Sequence, residues 1–341
     1  MNATKLSPCR AVFARSVLSL LTLTVLLAST TALRADIGYQ FVTVGNPGNA
    51  NDPASSYGEV DYSYAIGQYD VTLNQYTTFL NAVAQTDPYG LYNSGLENNG
   101  IVAGITQSGS FGSYSYAVIG SGNRPVAYIS WLDAARFANW MNNGQPTGLG
   151  EVAGSTEQGA YTLNGDISNG LELKNANASY WIPGENEWYK AAYYDPNKGG
   201  AGVAGYWTYA TRSDTQPGND DTHPTIANQA NYGGTPNHLT DVGLFSNSAS
   251  AYGTYDQNGD LYQWNDAVDA QNGGSRVVRG GSWYNSQYAL QSTTRLPVLP
   301  TVNTDPGIGF RIASAVPEPG TTASLIVAGG LLLARRRNSR I

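Results

Sequence analysis

Apolar side chains recur at helical spacing in several stretches of the chain, and these stretches predict its helices. In the first, Thr72 and Gln75 stand three residues apart. This is the spacing of a capping box, in which each side chain bonds the other residue's backbone amide. Apolar residues then follow at positions i, i+3, i+4 and i+7, which places them on one face of a helix. They are Tyr76, Phe79, Leu80 and Val83.

Two further stretches predict helices of the same kind. Ser130 and Asp133 repeat the capping pattern ahead of a second apolar stripe. A Pro-Gly turn precedes a third, shorter helix that carries Glu185 and Glu187 in its first turn. Because residues i and i+2 point in different directions on a helix, and acids suit its first turn, we predict a structural role for both carboxylates. The apolar residues expected to be buried are Ala134, Phe137, Ala138, Met141, Trp188, Ala191 and Ala192.

Alternating residues and short apolar runs predict strands near both ends of residues 36–315, which are called the body below. Near its end, short apolar runs at 276–279 and 309–313 are joined by an irregular segment of more than 20 residues that starts with Gly280 and Gly281. Loops of this length inside compact domains are more often functional than accidental. Near its start, the strand faces consist of Ile37, Tyr39 and Phe41, and of Tyr62, Tyr64 and Ile66.

The N-terminus, residues 1–35, is typical of a secretory signal peptide. Lys5, Arg10 and Arg15 precede an apolar run at 17–28, and small and polar residues follow it. Cleavage is expected after Ala32 or Ala35, and an uncleaved anchor is the alternative.

The C-terminus, residues 316–341, consists of a VPEP motif, a short apolar run and an arginine cluster. The run has about 14 residues, which is shorter than the roughly 20 that span a bilayer comfortably. The three parts in this order resemble the PEP-CTERM sorting tail of Gram-negative bacteria. The resemblance implies an exosortase-type sorting protease as partner, transient anchoring in the inner membrane, and export to the cell surface or extracellular matrix. An ordinary membrane anchor is the alternative. The motif residues are Val316, Pro317, Glu318 and Pro319.

The charge distribution excludes some partners for the body, residues 36–315. The chain has a net charge of −7, but its ends are basic, so the part between residues 36 and 317 carries 10 basic and 24 acidic side chains. Such a surface repels phosphate backbones, and we expect no nucleic-acid partner. The one cysteine is Cys9, inside the predicted signal peptide, so no intramolecular disulfide or cysteine-based metal centre is possible.

Several motifs resemble the formylglycine-generating enzyme (sulfatase-modifying factor) family. RGGSW at 279–283 is followed about 25 residues later by GFR at 309–311, and YDVT at 69–72 and ENEWYKAA at 185–192 also match the family's pattern. The resemblance covers about residues 39 to 313. It implies one α+β domain of the C-type-lectin-like fold, with few helices, small antiparallel sheets and much ordered loop.

The family's enzymes oxidise a substrate cysteine to formylglycine with oxygen and copper(I). In those enzymes, two cysteines of the long loop bind the copper(I). Those two positions fall on Asn285 and Leu290 in this chain. Because copper(I) selects sulfur ligands, we predict no copper, and formylglycine-generating activity is disfavoured. We expect Arg311 to hydrogen-bond the loop backbone, and contact with a ligand is the alternative. The candidates for contact with a ligand in the cleft are Ser282, Trp283, Asn285, Leu290 and Arg295.

The resemblance also implies two calcium sites. The first would use Asp256, the carbonyls of Gly259 and Leu261, and Gln263, which stands where the family usually has glutamate; Asp260 could compensate for that neutral amide. The alternative is a turn held by Asx-type hydrogen bonds without an ion. The second site would use Asn231 and Tyr232, for which the sequence offers no convincing aspartate partner downstream.

These observations favour an exported, non-catalytic binding module with a glycan or protein ligand. The alternatives are an enzyme of another class on the same scaffold, and a structural envelope or matrix protein. The two histidines, His223 and His238, have no metal-binding spacing and are expected on the surface. Fold-level resemblance alone does not decide among these functions.

Overall fold

Residues 34–316 are described by the computed structural model and lie within one compact unit. The predicted signal peptide, apart from its last two residues, and the sorting tail beyond Val316 lie outside the described residues. Within the described part, no helix is long and apolar enough to cross a membrane. The helices are α1 (Leu73–Val83), α2 (Gly95–Asn98), α3 (Trp131–Asn142) and α4 (Glu185–Tyr193), with a π-helical turn at Ala153–Glu157 and a 3-10 turn at Gln287–Leu290.

Local sequence explains where the two longest helices begin. Thr72 caps α1 through a complete capping box with Gln75, and Ser130 caps α3 in the same way with Asp133. The predicted apolar stripes of both helices are buried. Phe79, Phe137 and Phe310 pack together at their centre, where the ring centroid of Phe137 lies 5.3 Å from that of Phe79 and 5.3 Å from that of Phe310.

The strands form two four-stranded sheets and two hairpins. The first sheet, with neighbours in the order given, is antiparallel throughout: β1 (Phe41–Val44), β2 (Tyr64–Gly67), β12 (Ala313–Ala315) and β5 (Tyr180–Trp181). The second sheet is β10 (Leu296–Val298), β9 (Arg276–Arg279), β8 (Tyr262–Val268) and β11 (Ile308–Gly309), and only its β11–β8 pair is parallel. The hairpins are β3 (Ile105–Ser108) with β4 (Ser115–Val118), and β6 (Tyr194–Asp195) with β7 (Gly205–Tyr206).

The expected closing strand at 309–313 is wrong as a single element. Its first part ends β11 in the second sheet, and its last residue begins β12 in the first sheet. Phe310, Arg311 and Ile312 lie between the two strands and are all fully buried. The chain therefore changes sheets here, and this crossing brings the Arg311 guanidinium into the interior.

The first predicted strand begins later than the alternation indicates. Gly38 has a positive φ of 57°, which interrupts extended backbone, and pairing starts at Phe41. The Tyr39 hydroxyl donates to the carbonyl of Tyr69 at 3.1 Å and accepts from the amide of Ile312 at 3.0 Å. Tyr39 therefore attaches the N-terminal segment to the domain without a strand. Tyr62 likewise precedes β2 and is half exposed.

Candidate functional site

The long loop between β9 and β11 is attached to two other segments by backbone hydrogen bonds. The amide of Gly259 donates to the carbonyl of Gly280 at 3.0 Å, and the amide of Trp283 donates to the carbonyl of Asp260 at 2.8 Å. On the other side, the amide of Asp260 donates to the carbonyl of Asn231 at 2.9 Å. The start of the loop therefore has a fixed backbone position.

Glycine is required at this junction because the segments approach so closely. Gly259 has φ +82°, and a Cβ there would lie 2.1 Å from the carbonyl oxygen of Asn231. Gly280 has φ +103°, and its Cβ would lie 2.8 Å from the carbonyl oxygen of Gln257. Both obstacles are backbone atoms, so neither position accepts a side chain without displacing the loop.

Ser282 and Asn285 close a turn at the start of the loop. The Asn285 Oδ1 atom accepts hydrogen bonds from the amide of Ser282 at 2.9 Å and from its hydroxyl at 2.5 Å. The Asn285 carbonyl accepts from the amide of Gly233 at 2.7 Å. Ser282 is fully buried, so its side chain supports the turn and does not face a ligand.

Trp283 and Leu290 are core residues of the loop. Trp283 is 7% exposed and packs against Leu239 and Leu261, while Leu290 is fully buried against Tyr209 and Tyr232. Their side chains hold the loop on the domain. A ligand cleft at this loop stays a prediction, and its surface must come from other residues.

Arg295 belongs to a separate ion-pair network. Its Nε atom lies 2.9 Å from Glu185 Oε1, and its Nη1 atom lies 2.7 Å from Asp269 Oδ2. Glu185 also pairs with the fully buried Arg279, whose Nε atom lies 2.8 Å from the same Oε1. Glu185 therefore has the structural role predicted from its position in the first turn of α4. The charged contacts of Arg295 all belong to this network. The turn that Ser282 and Asn285 form is not part of it.

Two exposed tyrosines in the loop were missed by the sequence reasoning. Tyr284 is 41% exposed and Tyr288 is 66% exposed. The Tyr284 hydroxyl donates to Asp305 Oδ1 at 2.8 Å, and this hydrogen bond between the two ends of the loop fixes the orientation of the Tyr284 ring. Leu296 and Leu299, further along the same segment, are also exposed. The available signal was an aromatic residue, Tyr284, directly after Trp283, and a second tyrosine four residues later in the same loop.

Gln263 is held by a dense set of hydrogen bonds. Its Oε1 atom accepts from Trp188 Nε1 at 2.7 Å and from Arg311 Nε at 2.6 Å, and its Nε2 atom donates to Asp70 Oδ2 and the carbonyl of Asp256. A guanidinium therefore already occupies the position where Gln263 would contact a cation. Gln263 does not fit as a calcium ligand.

Arg311 also donates to backbone carbonyls, as expected, but not to those of the long loop. Its partners are the carbonyls of Gly67 at 2.9 Å and Tyr255 at 2.8 Å. Arg311 therefore joins the end of β2 to the turn that precedes β8.

Three buried acids lie close to one another beside Arg311. Burial raises the pKa of Asp70 well above its usual range, burial and repulsion by Asp260 raise the pKa of Asp256 to about 7, and burial raises the pKa of Asp260 to about 6. The Arg311 Nη2 atom lies 3.5 Å from Asp70 Oδ1. A further cation or proton uptake would relieve the remaining negative charge.

Asn231 has a buried oxygen that no group among residues 34–316 satisfies. Its Nδ2 atom donates to Asp260 Oδ1 at 2.7 Å and to the carbonyl of His238, which fixes the amide orientation and leaves Oδ1 without a hydrogen-bond partner. Asp260 is therefore the acidic neighbour that the sequence did not reveal for Asn231. The carbonyl of Tyr232 accepts from the amide of Thr235 at 3.4 Å.

The histidines lie on the surface. His223 pairs with Asp220 and His238 with Asp221, and both histidine side chains are more than half exposed. Within residues 34–316, no group of three or more His, Cys, Asp or Glu side chains is arranged to hold a metal ion. Calcium at either predicted site therefore stays a prediction that depends on backbone and amide oxygens.

Comparison with known families agrees with the motifs. The model of the sulfatase-modifying factor enzyme 1-like domain matches residues 38–316, which is most of the chain. The chain belongs to this sulfatase-modifying-factor family. No curated protein matches the chain.

Three solved structures are similar to this chain over most of its length. Treponema denticola variable protein 1 is 19% identical, with a TM-score of 0.50, and the match covers 84% of this chain and 99% of that one. The crystal structure of CarF is 20% identical with a TM-score of 0.46, covering 83% and 100% of the two chains. PvdO from Pseudomonas aeruginosa is 15% identical with a TM-score of 0.39, covering 82% and 92%. The α+β, C-type-lectin-like fold predicted from the motifs is confirmed.

The family's copper chemistry does not fit the residues present in the loop. The side-chain oxygen of Asn285 accepts hydrogen bonds from Ser282, and Leu290 is a buried hydrocarbon side chain without any ligand atom. Copper(I) needs soft sulfur donors, and the chain has no cysteine after Cys9.

Proposed function

We propose that this member of the sulfatase-modifying-factor family is an exported, non-catalytic binding module that holds a glycan or protein ligand through the exposed face of its long loop. The observation that carries this is the use of Asn285 and Leu290 as structural supports at the family's two cysteine positions. The loop keeps its rigid attachment, while the side chains that would perform the family's oxidation are replaced.

The ligand surface in this proposal consists of Tyr284, Tyr288, Leu296 and Leu299. Exposed aromatic rings suit the apolar faces of sugars as well as protein side chains, and they are enriched at interfaces. The acidic body makes nucleic acid an unsuitable partner.

Export and sorting are also part of the proposal. The N-terminal segment would direct secretion, and an exosortase-type protease would remove the tail that begins at Val316. β12 ends at Ala315, where the backbone amide donates to the carbonyl of Ser179 at 3.2 Å. Cleavage within the tail would therefore spare the last strand of the first sheet, which supports the predicted boundary at 315.

Calcium is proposed as a structural ion at the base of the loop. The Asn231 Oδ1 atom lacks a partner within the described residues, and burial raises the pKa of the adjacent Asp260 and of its neighbour Asp256, a cost that a bound cation would offset. Carboxylate, amide and carbonyl oxygens are the ligands that calcium prefers. An ion there would strengthen the junction that holds the loop.

The binding proposal is tested with the full-length protein, immobilised and exposed to the producing cell's extracellular polysaccharide fraction and surface proteins. We expect retention that Tyr288→Ala removes and that Phe111→Ala leaves unchanged. Phe111 is a matched aromatic control, because it is 74% exposed at a distant hairpin tip. Loss of retention in calcium chelator would support the structural ion. Equal retention by both variants, or none by the unmodified protein, would overturn the proposal and favour the structural-protein or enzyme alternatives.

The enzyme alternative depends on acids that a substrate can reach. Asp70 and Asp260 converge near the loop base but are buried. The cavity beside Asp256 measures about 10 Å³, which is room for about one water molecule. The geometry therefore favours binding over catalysis by these acids.

A further inference from the structure

A polar cavity of about 290 Å³ lies between the N-terminal segment and the start of α1. Its walls come from residues 37–40, 69, 70, 72, 74, 75, 123 and 242, so the long loop does not contribute to it. This volume is at the lower end of the range for small-molecule sites, roughly 300–1,000 Å³. It corresponds to one small ring compound and not to a peptide.

Unused amide groups line this cavity. The side chains of Gln40, Asn74 and Asn123 form no hydrogen bond with any group among residues 34–316. Gln75, by contrast, is held in place: its Oε1 atom accepts from the amide of Thr72 at 3.0 Å. Each free amide offers both donors and an acceptor to a ligand.

A buried acceptor lies in the wall of the same cavity. Asp70 is 1% exposed, and its Oδ1 atom accepts no hydrogen bond within the described residues, where its nearest cation is Arg311 Nη2 at 3.5 Å. Its other oxygen accepts from Gln263 Nε2 at 3.2 Å, which holds the carboxyl group in position. A buried polar atom without a partner costs free energy, and a ligand hydroxyl would recover that cost.

Two tyrosine rings complete the cavity and have fixed positions. Tyr69 stacks on Tyr255 with ring centroids 5.4 Å apart. The hydroxyl of Tyr39 bonds the backbone of Tyr69 and of Ile312. These constraints reduce the entropy that the site would lose on binding.

We propose that this cavity binds one neutral sugar residue, either as a free monosaccharide or as the end of a glycan. The planar amides of Asn74 and Asn123 would pair with neighbouring hydroxyls, and Asp70 would accept a hydroxyl proton. The Tyr69 ring would cover the apolar face of the sugar. An anionic sugar is disfavoured because none of the residues that line the cavity is basic. The site is separate from the loop surface, so this inference does not rest on the proposed function.

The test measures binding of D-glucose, D-galactose, D-mannose, D-xylose and N-acetyl-D-glucosamine to the full-length protein by saturation-transfer NMR and calorimetry. The protein is kept in a detergent without sugar headgroups. The variants are Asn74→Ala and Asn123→Ala, with Asn98→Ala as an exposed asparagine control outside the cavity. Thermal melts establish that each variant is folded.

We expect one sugar to bind with a stoichiometry of one, and each cavity variant to weaken it about 5- to 10-fold, as the loss of one hydrogen bond to a ligand would. The Asn98→Ala and Tyr288→Ala variants should bind as the unmodified protein does. Competition by an oligosaccharide ending in the same sugar would identify a glycan end as the ligand, and its absence a free sugar. No binding of any of the five sugars, or binding that both cavity variants leave unchanged, would overturn the inference, whatever the outcome for the loop.

Discussion

Replacing Leu290 with alanine tests whether this position, a cysteine in the family's enzymes, has become an anchor for the loop. Leu290 is fully buried, and its Cδ1 atom lies 2.8 Å from where a Cβ on Gly281 would stand. The substitution removes three carbon atoms from a closely packed place. At about 0.8 kcal/mol for each buried methylene, transfer alone costs about 2.4 kcal/mol. The cavity left behind brings the expected loss of unfolding free energy to about 2–5 kcal/mol.

Urea denaturation of the full-length protein, followed by tryptophan fluorescence, measures this loss. Limited proteolysis should also cut the variant faster within residues 284–300, because the loop loses an anchor there. Tyr288→Ala is the control: its ring is 66% exposed, and such a change usually alters stability by less than about 0.5 kcal/mol. A Leu290→Ala protein as stable as this control would refute the anchoring role.

Three further predictions concern the buried charges and the glycine junction. Burial raises the pKa of Glu151 to about 8, so the folded state favours the protonated acid and loses stability as the pH rises from about 4.5 through 8. The Glu151→Gln variant should therefore melt at a higher temperature than the unmodified protein at pH 9 but not at pH 5. Equal shifts of the melting temperature at both pH values would contradict this. Glu185→Gln leaves the buried Arg279 without its negatively charged partner and should lower the free energy of unfolding by about 3–5 kcal/mol, measured by urea denaturation. An unchanged denaturation midpoint would contradict a stabilising role for the Glu185–Arg279 ion pair. Gly259→Ala forces a methyl group against the Asn231 carbonyl and should lower the melting temperature and speed proteolysis of the loop. An unchanged melting temperature and proteolysis rate would mean that the backbone at this junction can move to accommodate the methyl group.

Features encoded by neighbouring residues were predicted well from the sequence. The capping boxes at Thr72 and Ser130 involve residues three positions apart, and both are present. The strand at Arg276–Arg279 has the predicted bounds. The family motifs added the overall fold, because a pattern spread over the chain constrains its topology even where single segments do not.

Features that depend on distant residues were not accessible in this way. The motif GFRIA has the composition of one strand, yet it divides between two sheets, and the Arg311 side chain at the crossing bonds Gln263, which lies 48 positions earlier in the chain. Asp260 lies 29 positions from Asn231, so no local pattern joins them. Trp283 was expected to face a ligand because it is aromatic and lies in a loop; in fact hydrophobic neighbours from four other segments cover it.

We propose that the chain keeps the family's fold but does not carry out the family's oxidation of a substrate cysteine. The most direct measurement incubates the full-length protein with copper(I), oxygen and a sulfatase-type peptide that contains the substrate cysteine, and follows the peptide by mass spectrometry. Because Asn285 and Leu290 supply no sulfur, the account predicts that the cysteine remains unchanged, as it does without the protein. Conversion of that cysteine to formylglycine would contradict the account.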